Sequence, residues 1–250
     1  MINNIRVTLE LSKIDFLTKY SQSAFGFFWH LLMPIINYCT IIGVFKYIIY
    51  PNEPNWFYSH ILAGLIIWNA FRDITTSSCS IFIFKWNKVK DVKVSLANIV
   101  ISSHISQFIT FFIHFSLYLV FIYLMVPTVL NPLSVALTFI SFFLMTVFVG
   151  LLLSVLGALY NDIYYLWNAI GTLLFWSLPI LYLPDQVPAR LQKFLLISPF
   201  YFPFLSFKQA IIGQKINILT QLISIILLLL LIKFTHYLTT KYRNKIINSL

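Results

Sequence analysis

Arg72 and Asp73 stand side by side in the apolar run LIIWNAFRDITTSS. A charge near the middle of a bilayer costs about 2.5–3.5 kcal/mol on insertion scales, so such residues face a bundle interior or water. Two readings of the pair are open: a locally satisfied contact that holds helices together, or an arginine that meets an anionic or hydroxyl-rich substrate in passage. Trp68 lies one helical turn earlier, and Tyr160, Asn161, Asp162, Trp167 and Asn168 follow later in the chain. Aromatic faces and amides suit carbohydrate rings and hydroxyls, which makes Trp68, Arg72, Asp73, Tyr160, Asn161 and Asp162 a candidate substrate path. The same aromatics would also serve as packing or as interface anchors. His30, His60, His104, His114 and His236 show no ligand spacing, and Cys39 and Cys79 form no CxxC pair; no metal is expected. The acidic residues lie apart from one another, so no catalytic pair of carboxylates stands out.

The elements that hold these residues are membrane elements. The chain is 60% apolar, 18% aromatic and 10% charged, against about 25% charged residues in ordinary soluble domains. The expected fold is an all-α polytopic membrane protein, one transmembrane domain over residues 1–250. Since a span needs about 20 apolar residues, six crossings are expected near Phe27–Tyr50, Phe57–Phe84, Ile99–Val126, Leu133–Leu159, Tyr164–Leu183 and Ile216–Leu238. Residues 1–24 lack a signal-peptide pattern. Ile2, Ile5, Leu9, Phe16 and Tyr20 share one helical face there, with Asn4, Thr8, Asp15 and Lys19 opposite. An amphipathic interfacial helix is expected, with Phe16, Tyr20, Phe25 and Trp29 as its membrane contacts.

The net charge of +10 is gathered in short clusters flanking apolar runs, the arrangement of juxtamembrane charges rather than of a nucleic-acid surface. Counting Lys and Arg over the connecting segments favours both termini inside. After the second run, FKWNKVKDVKVSLAN carries Lys85, Lys88, Lys90, Asp91 and Lys93, with Val89, Val92 and Leu96 at helical spacing. This reads as a short amphipathic helix, either a positive-inside clamp or a docking surface for a soluble partner. None of the seven glycines opens a GxxxxGK[ST] phosphate loop, so energy from ATP would have to come through another polypeptide.

From Pro179 to Gln214 the chain is too rich in proline for a spanning helix and too aromatic for a plain solvent loop. Pro184, Pro188, Pro199 and Pro203 alternate with Tyr182, Phe200, Tyr201, Phe204 and Phe207. Proline removes backbone donors, and non-helical backbone at membrane depth needs cover from protein or a water-filled cavity. Short re-entrant or interfacial helices are therefore expected before the last span, with Pro179, Tyr182, Pro199, Phe200 and Tyr201 shaping a gate.

These residues, taken in order, resemble the permease subunits of type-2 ABC exporters of polysaccharide, which include the O-antigen, capsule and teichoic-acid exporters. Lys19 to Trp29 followed by Pro34 resembles the family's opening signature, and Gly64 with Trp68 its second-span motif. Tyr160-Asn161-Asp162 stands where an Arg-Asp pair is usual. Pro179-Ile180-Leu181-Tyr182, Pro188, Ser198-Pro199 and Lys208 stand where the family has Pro-Leu-Tyr, Pro, Asn-Pro and Arg. Asn161, Ser198 and the missing Phe-Pro-Arg near Val92 to Leu96 depart from the pattern.

The resemblance implies a half-transporter in a bacterial inner membrane, with cytoplasmic termini. Two copies would pair around a channel, and a coupling helix at residues 84–98, through Lys85, Lys88, Val89, Lys90, Asp91, Val92 and Lys93, would rest on one of two separate subunits that bind ATP and magnesium. The chain itself would carry no cofactor. The helix at 1–24 would lie where a lipid-linked glycan enters, and residues 179–214 would gate the outer mouth. An O-antigen substrate would tie the chain to lipopolysaccharide biosynthesis. A type-2 permease for drugs or lipids, a membrane-embedded transferase and a non-transporting scaffold are the other readings.

Overall fold

The computed structural model describes residues 2–18, 26, 28–89, 95–126, 130–183, 186–188, 190, 195 and 198–248. Among them regular structure is helical throughout. Helix α1 is Ile2–Thr18, α2 is Phe28–Val44 with a π-helical turn at Phe45–Ile49, α3 is Asn55–Ser78, α4 is Ile81–Val89 and α5 is Leu96–Met125. Then come α6 at Pro132–Leu159, α7 at Ile163–Ser177, α8 at Tyr201–Ile211, α9 at Ile218–Lys241 and α10 at Arg243–Asn248.

Local chemistry fixes several starts. The Asn131 side chain accepts from the Leu133 and Ser134 amides, with Pro132 in the first turn of α6, where its missing N–H costs nothing. Asn217 caps α9 in the same way, through the Leu219 and Thr220 amides, and Ser95 accepts from the Asn98 amide to open α5. Pro34 sits inside α2, a position that neighbouring helices make tolerable in a membrane.

Four helical stretches are long and apolar enough to cross a membrane: Leu31–Ile49, Leu96–Leu124, Pro132–Leu159 and Ile218–Lys241. The protein is thus a multi-pass membrane protein. The other two expected crossings differ from their sequence boundaries. The run Phe57–Phe84 is divided at Cys79–Ser80, between α3 and α4. Helix α7 stops at Ser177 rather than Leu183; its 15 residues rise about 22 Å at 1.5 Å per residue, short of a hydrocarbon core of about 30 Å.

The main core is aromatic. Phe204 and Phe207 of α8 insert among Phe71 of α3, Phe111 and Phe115 of α5, and Phe139 and Phe142 of α6, with ring centroids 5.0–6.3 Å apart. Interhelical polar bonds add to it: Trp167 Nε1 donates to Thr75 Oγ1 at 3.0 Å, tying α7 to α3, and the Gln221 amide of α9 donates to Ser141 of α6. A second cluster joins Ile81 and Phe82 of α4, Leu96 to Val100 of α5, Val155 and Ala158 of α6 and Ile246 of α10, with Leu11 of α1 against it. The first and last helices therefore meet α4 at one end of the bundle. There Gly157 lets α6 approach the α3–α4 bend, since a Cβ would collide with the Cys79 carbonyl.

Helix α1 packs along α5. Its buried residues are the small polar Thr8 and Ser12, while Ile5 and Leu9 are exposed. Ile5 and Leu9 of the expected apolar face thus point outward, and short side chains let the two helices approach closely. Tyr20 and Phe25 lie outside the described residues; Phe16 is half-buried and Trp29 is exposed on α2.

Candidate substrate path and its flanking contacts

Helix α3 is buried over most of its circumference. Its exposed residues toward the α4 end are polar: Asn69, Arg72, Asp73 and Ser77, with Thr76 half-buried. Asn69, Arg72, Asp73 and Thr76 fall at i, i+3, i+4 and i+7, one face of a helix. An exposed polar stripe on a helix held inside an apolar bundle has to meet water, a polar ligand or another chain.

Arg72 and Asp73 do not act as one pair. Successive helical residues point about 100° apart, and the two side chains border different neighbours. Arg72 adjoins Asn168 and Gly171 of α7. Asp73 lines a cleft of about 410 Å³ between α2, α3 and α5, together with Asn37, Asn69 and Gln107. Gln107 Nε2 donates to Ser77 Oγ at 2.7 Å, and the Tyr38 hydroxyl donates to the His114 carbonyl at 3.1 Å, linking the walls of the cleft.

Trp68 is buried in the aromatic core, its ring 5.6 Å from Phe175 and 5.8 Å from Phe71. Its face is occupied by packing. Tyr160, Asn161 and Asp162 are exposed at the turn joining α6 to α7, at the end of the bundle that holds α4 and α10. Of the six expected path residues, α3 carries three, Arg72 and Asp73 along its exposed polar face and Trp68 in the core, and the other three stand apart at the α6–α7 turn. Sequence reading missed Asn37, Asn69, Thr76 and Gln107; the spacing of lone polar residues in apolar runs was the available signal.

Of the expected gate residues, Pro179 meets a buried lysine. Lys208 of α8 is fully buried, and its Nζ donates to the Pro179 carbonyl and, at 3.1 Å, to the Ile180 carbonyl, just past the end of α7. Gly64 of α3 faces the same Ile180 carbonyl so closely that a Cβ would collide with it. The Tyr182 hydroxyl donates to the Ser177 carbonyl at 2.9 Å. Phe200 stacks edge-on to Phe71 at 5.7 Å, Tyr201 is buried and Pro199 is exposed. Much of the stretch from Pro184 to Ile197 lies outside the described residues.

For the expected coupling segment, the helix begins at Ile81 rather than Lys85, and Leu96 to Asn98 belong to α5. Lys85 forms an ion pair with Asp15 of α1. The backbone of Lys88 and Val89 is helical, while Lys90, Asp91, Val92 and Lys93 lie outside the described residues. Among the described residues no three His, Cys, Asp or Glu side chains gather as a metal-binding group.

No family model matches the chain. Two O-antigen export system permease proteins, both named RfbA and both from Klebsiella pneumoniae, are each 22% identical to it over 205 residues, 81% of this chain and 79% of theirs. The chain is thus similar to curated O-antigen export permeases over about four-fifths of its length.

Proposed function

We propose that this chain is the membrane half of an ATP-driven exporter that moves a lipid-linked polysaccharide across the bacterial inner membrane. The observation that carries the reading is the exposed polar stripe Asn69, Arg72, Asp73 and Thr76 on a helix otherwise packed inside an apolar bundle. The curated relatives, permeases for O-antigen export by name, add the class of cargo.

In this reading α3, and α7 together with the non-helical residues 178–183 that follow it, complete six crossings, with α3 shielded from lipid by pairing of two copies across the stripe. Both termini, α4 and the α6–α7 turn face the cytoplasm. Two ATP-binding subunits, which hold ATP and magnesium, press on residues 84–98. The helix at 1–24 lies at the inner interface near glycan entry, and residues 179–214 gate the outer mouth. Closure of the ATP-binding subunits shifts the population between inward-open and outward-open arrangements because they bind the two with different affinity.

The test is reconstitution of the chain in vesicles with and without its ATP-binding partner. Export of lipid-linked glycan that requires the partner and ATP is the expected result. Export by the chain alone, or turnover of a lipid-linked sugar without ATP, overturns the reading.

A further inference from the structure

We propose that the last turns of α9, through Lys233, Tyr237 and Lys241, together with Arg243 and Lys245 of α10, bind the phosphate of an anionic glycerophospholipid whose acyl chains run along the apolar face of α9. The inference rests on the spanning helix itself and not on the export reading. Leu219, Ile223, Ile226, Leu230, Phe234 and Tyr237 recur at three- and four-residue spacing and are all exposed, so they form one stripe down the helix. Helix α9 packs mainly on α6, and this opposite face is the one left to meet lipid.

Lys233 and Lys241 belong to that stripe. With Tyr237 they fall at i, i+4 and i+8, all exposed. The 24 residues of α9 rise about 36 Å, against about 30 Å of hydrocarbon. The end at Lys241 therefore reaches the headgroups, while Lys233, two turns earlier, starts inside the hydrocarbon edge. A lysine so placed lays its stem along apolar surface and carries its ammonium toward the phosphates. Lys241 Nζ lies 5.9 Å from the centre of the Tyr237 ring and 5.8 Å from that of Tyr242, within cation–π range, which keeps this ammonium over the stripe.

The charge at this end is not offset within the chain. Among the described residues Lys233, Lys241, Arg243 and Lys245 are exposed and none is in an ion pair; Asp162, exposed at the same end of the bundle, bridges to none of them. Ile246 is buried in the cluster formed with α4, α5 and α6, so Arg243 and Lys245 stand on an anchored turn rather than a loose tail. Four cations beside exposed tyrosines, continuous with an apolar stripe, match a ligand with one anionic head and apolar tails. Phosphate oxygens accept from ammonium and guanidinium groups and from the tyrosine hydroxyl, and basic clusters at the end of a span draw anionic headgroups. An acidic protein surface would supply the charge but would not reach Lys233 within the lipid-facing stripe.

The experiment titrates the full chain in detergent with phosphatidylglycerol and, separately, with zwitterionic phosphatidylcholine of the same acyl chains, and reads bound lipid by native mass spectrometry. Photoactivatable phosphatidylglycerol in nanodiscs then maps the site by cross-linked peptides. Phosphatidylglycerol is expected to bind at least about tenfold more tightly than phosphatidylcholine, since several basic groups each favour an anionic head, and to cross-link within residues 226–245. Lys233→Gln combined with Lys241→Gln is expected to narrow that preference at least about threefold. Lys46→Gln combined with Lys215→Gln, which removes the same charge from exposed positions elsewhere, is expected to leave it within about twofold. Equal binding of the two lipids, displacement by equimolar inorganic phosphate, or cross-links confined to other helices overturns the site without reference to any variant. An equal loss in both double variants overturns it as well. If the Lys233 and Lys241 variant keeps its lipid preference but loses the ATP-binding partner in a pull-down, the surface docks protein and the lipid site is overturned. Failure of ATP-driven export in vesicles ends the export reading and leaves this site standing.

Discussion

Lys85 of α4 is ion-paired with Asp15 of α1, 70 residues earlier in the chain. The contact ties the helix at the bundle's first end to the helix that precedes the lysine-rich segment. The two side chains are 20% and 28% exposed, so the pair is shielded more than a surface bridge and less than a core one. Reversing either charge alone is expected to cost roughly 1 kcal/mol, read as a fall in melting temperature in detergent. The double reversal, Asp15→Lys with Lys85→Asp, is expected to restore it. A double variant no more stable than the singles removes the pair as a stabilising contact.

Two glycines give opposite expectations. Gly64→Ala places a methyl against the Ile180 backbone, which cannot rotate away, and is expected to destabilise by about 1–3 kcal/mol. Gly171→Ala in α7 meets open space and replaces a flexible residue inside a helix, so it is expected to stabilise by about 0.5–1 kcal/mol. Thermal melts of the two variants side by side check both signs.

Lys208→Met keeps the length of the side chain and removes its donors. The Pro179 and Ile180 carbonyls then lose the buried partner they share, at about 1–3 kcal/mol for each acceptor left unsatisfied. Faster amide hydrogen exchange across residues 178–183 is the expected local signature. Unchanged exchange there would show that the turn does not depend on the lysine.

Arg72→Leu tests the path. Arg72 is exposed, so stability is expected to stay within about 0.5 kcal/mol while ATP-dependent glycan export falls at least about tenfold, the effect of one lost contact of about 1.4 kcal/mol in transit. Normal export at normal expression would exclude Arg72 from the path.

Reversing Lys88, Lys90 and Lys93 together is expected to reduce co-purification of the ATP-binding partner without unfolding the bundle. Pull-down at two salt concentrations checks this, because a charge-based dock weakens with ionic strength.

The helical, membrane-embedded character of the chain was legible in its apolar runs, and the cap residues Asn131, Ser95 and Asn217 sit where the runs begin. The break at Cys79–Ser80 was not read because no glycine or proline marks it. Its signal was the cluster Thr75 to Ser78, whose hydroxyls of Thr75, Ser77 and Ser78 donate back to carbonyls three and four residues earlier and so compete with the helix ladder. Pro179 was the available signal for the end of α7 at Ser177, which the expected span to Leu183 overran. On α1 the small polar Thr8 and Ser12 face protein while Ile5 and Leu9 of the expected apolar face point outward, an arrangement that a rule of apolar side inward does not anticipate. At the path, adjacency in sequence drew attention to Arg72 with Asp73, whereas helical geometry links each to residues three and four positions away. The lysine clamp on the α7 exit joins residues nearly thirty positions apart, which no local pattern reveals.

Helix α8 is wedged into the bundle by Phe204 and Phe207 and bolted by Lys208. It cannot swing outward as a free flap, because doing so would strip rings from three neighbouring helices at once. Any movement of α8 must carry this wedge along as part of a larger rigid block, with the bending confined to the short stretches on either side, residues 178–183 and 212–217. On the export reading, cross-linking those two stretches is expected to stop glycan release while ATP hydrolysis by the partner continues.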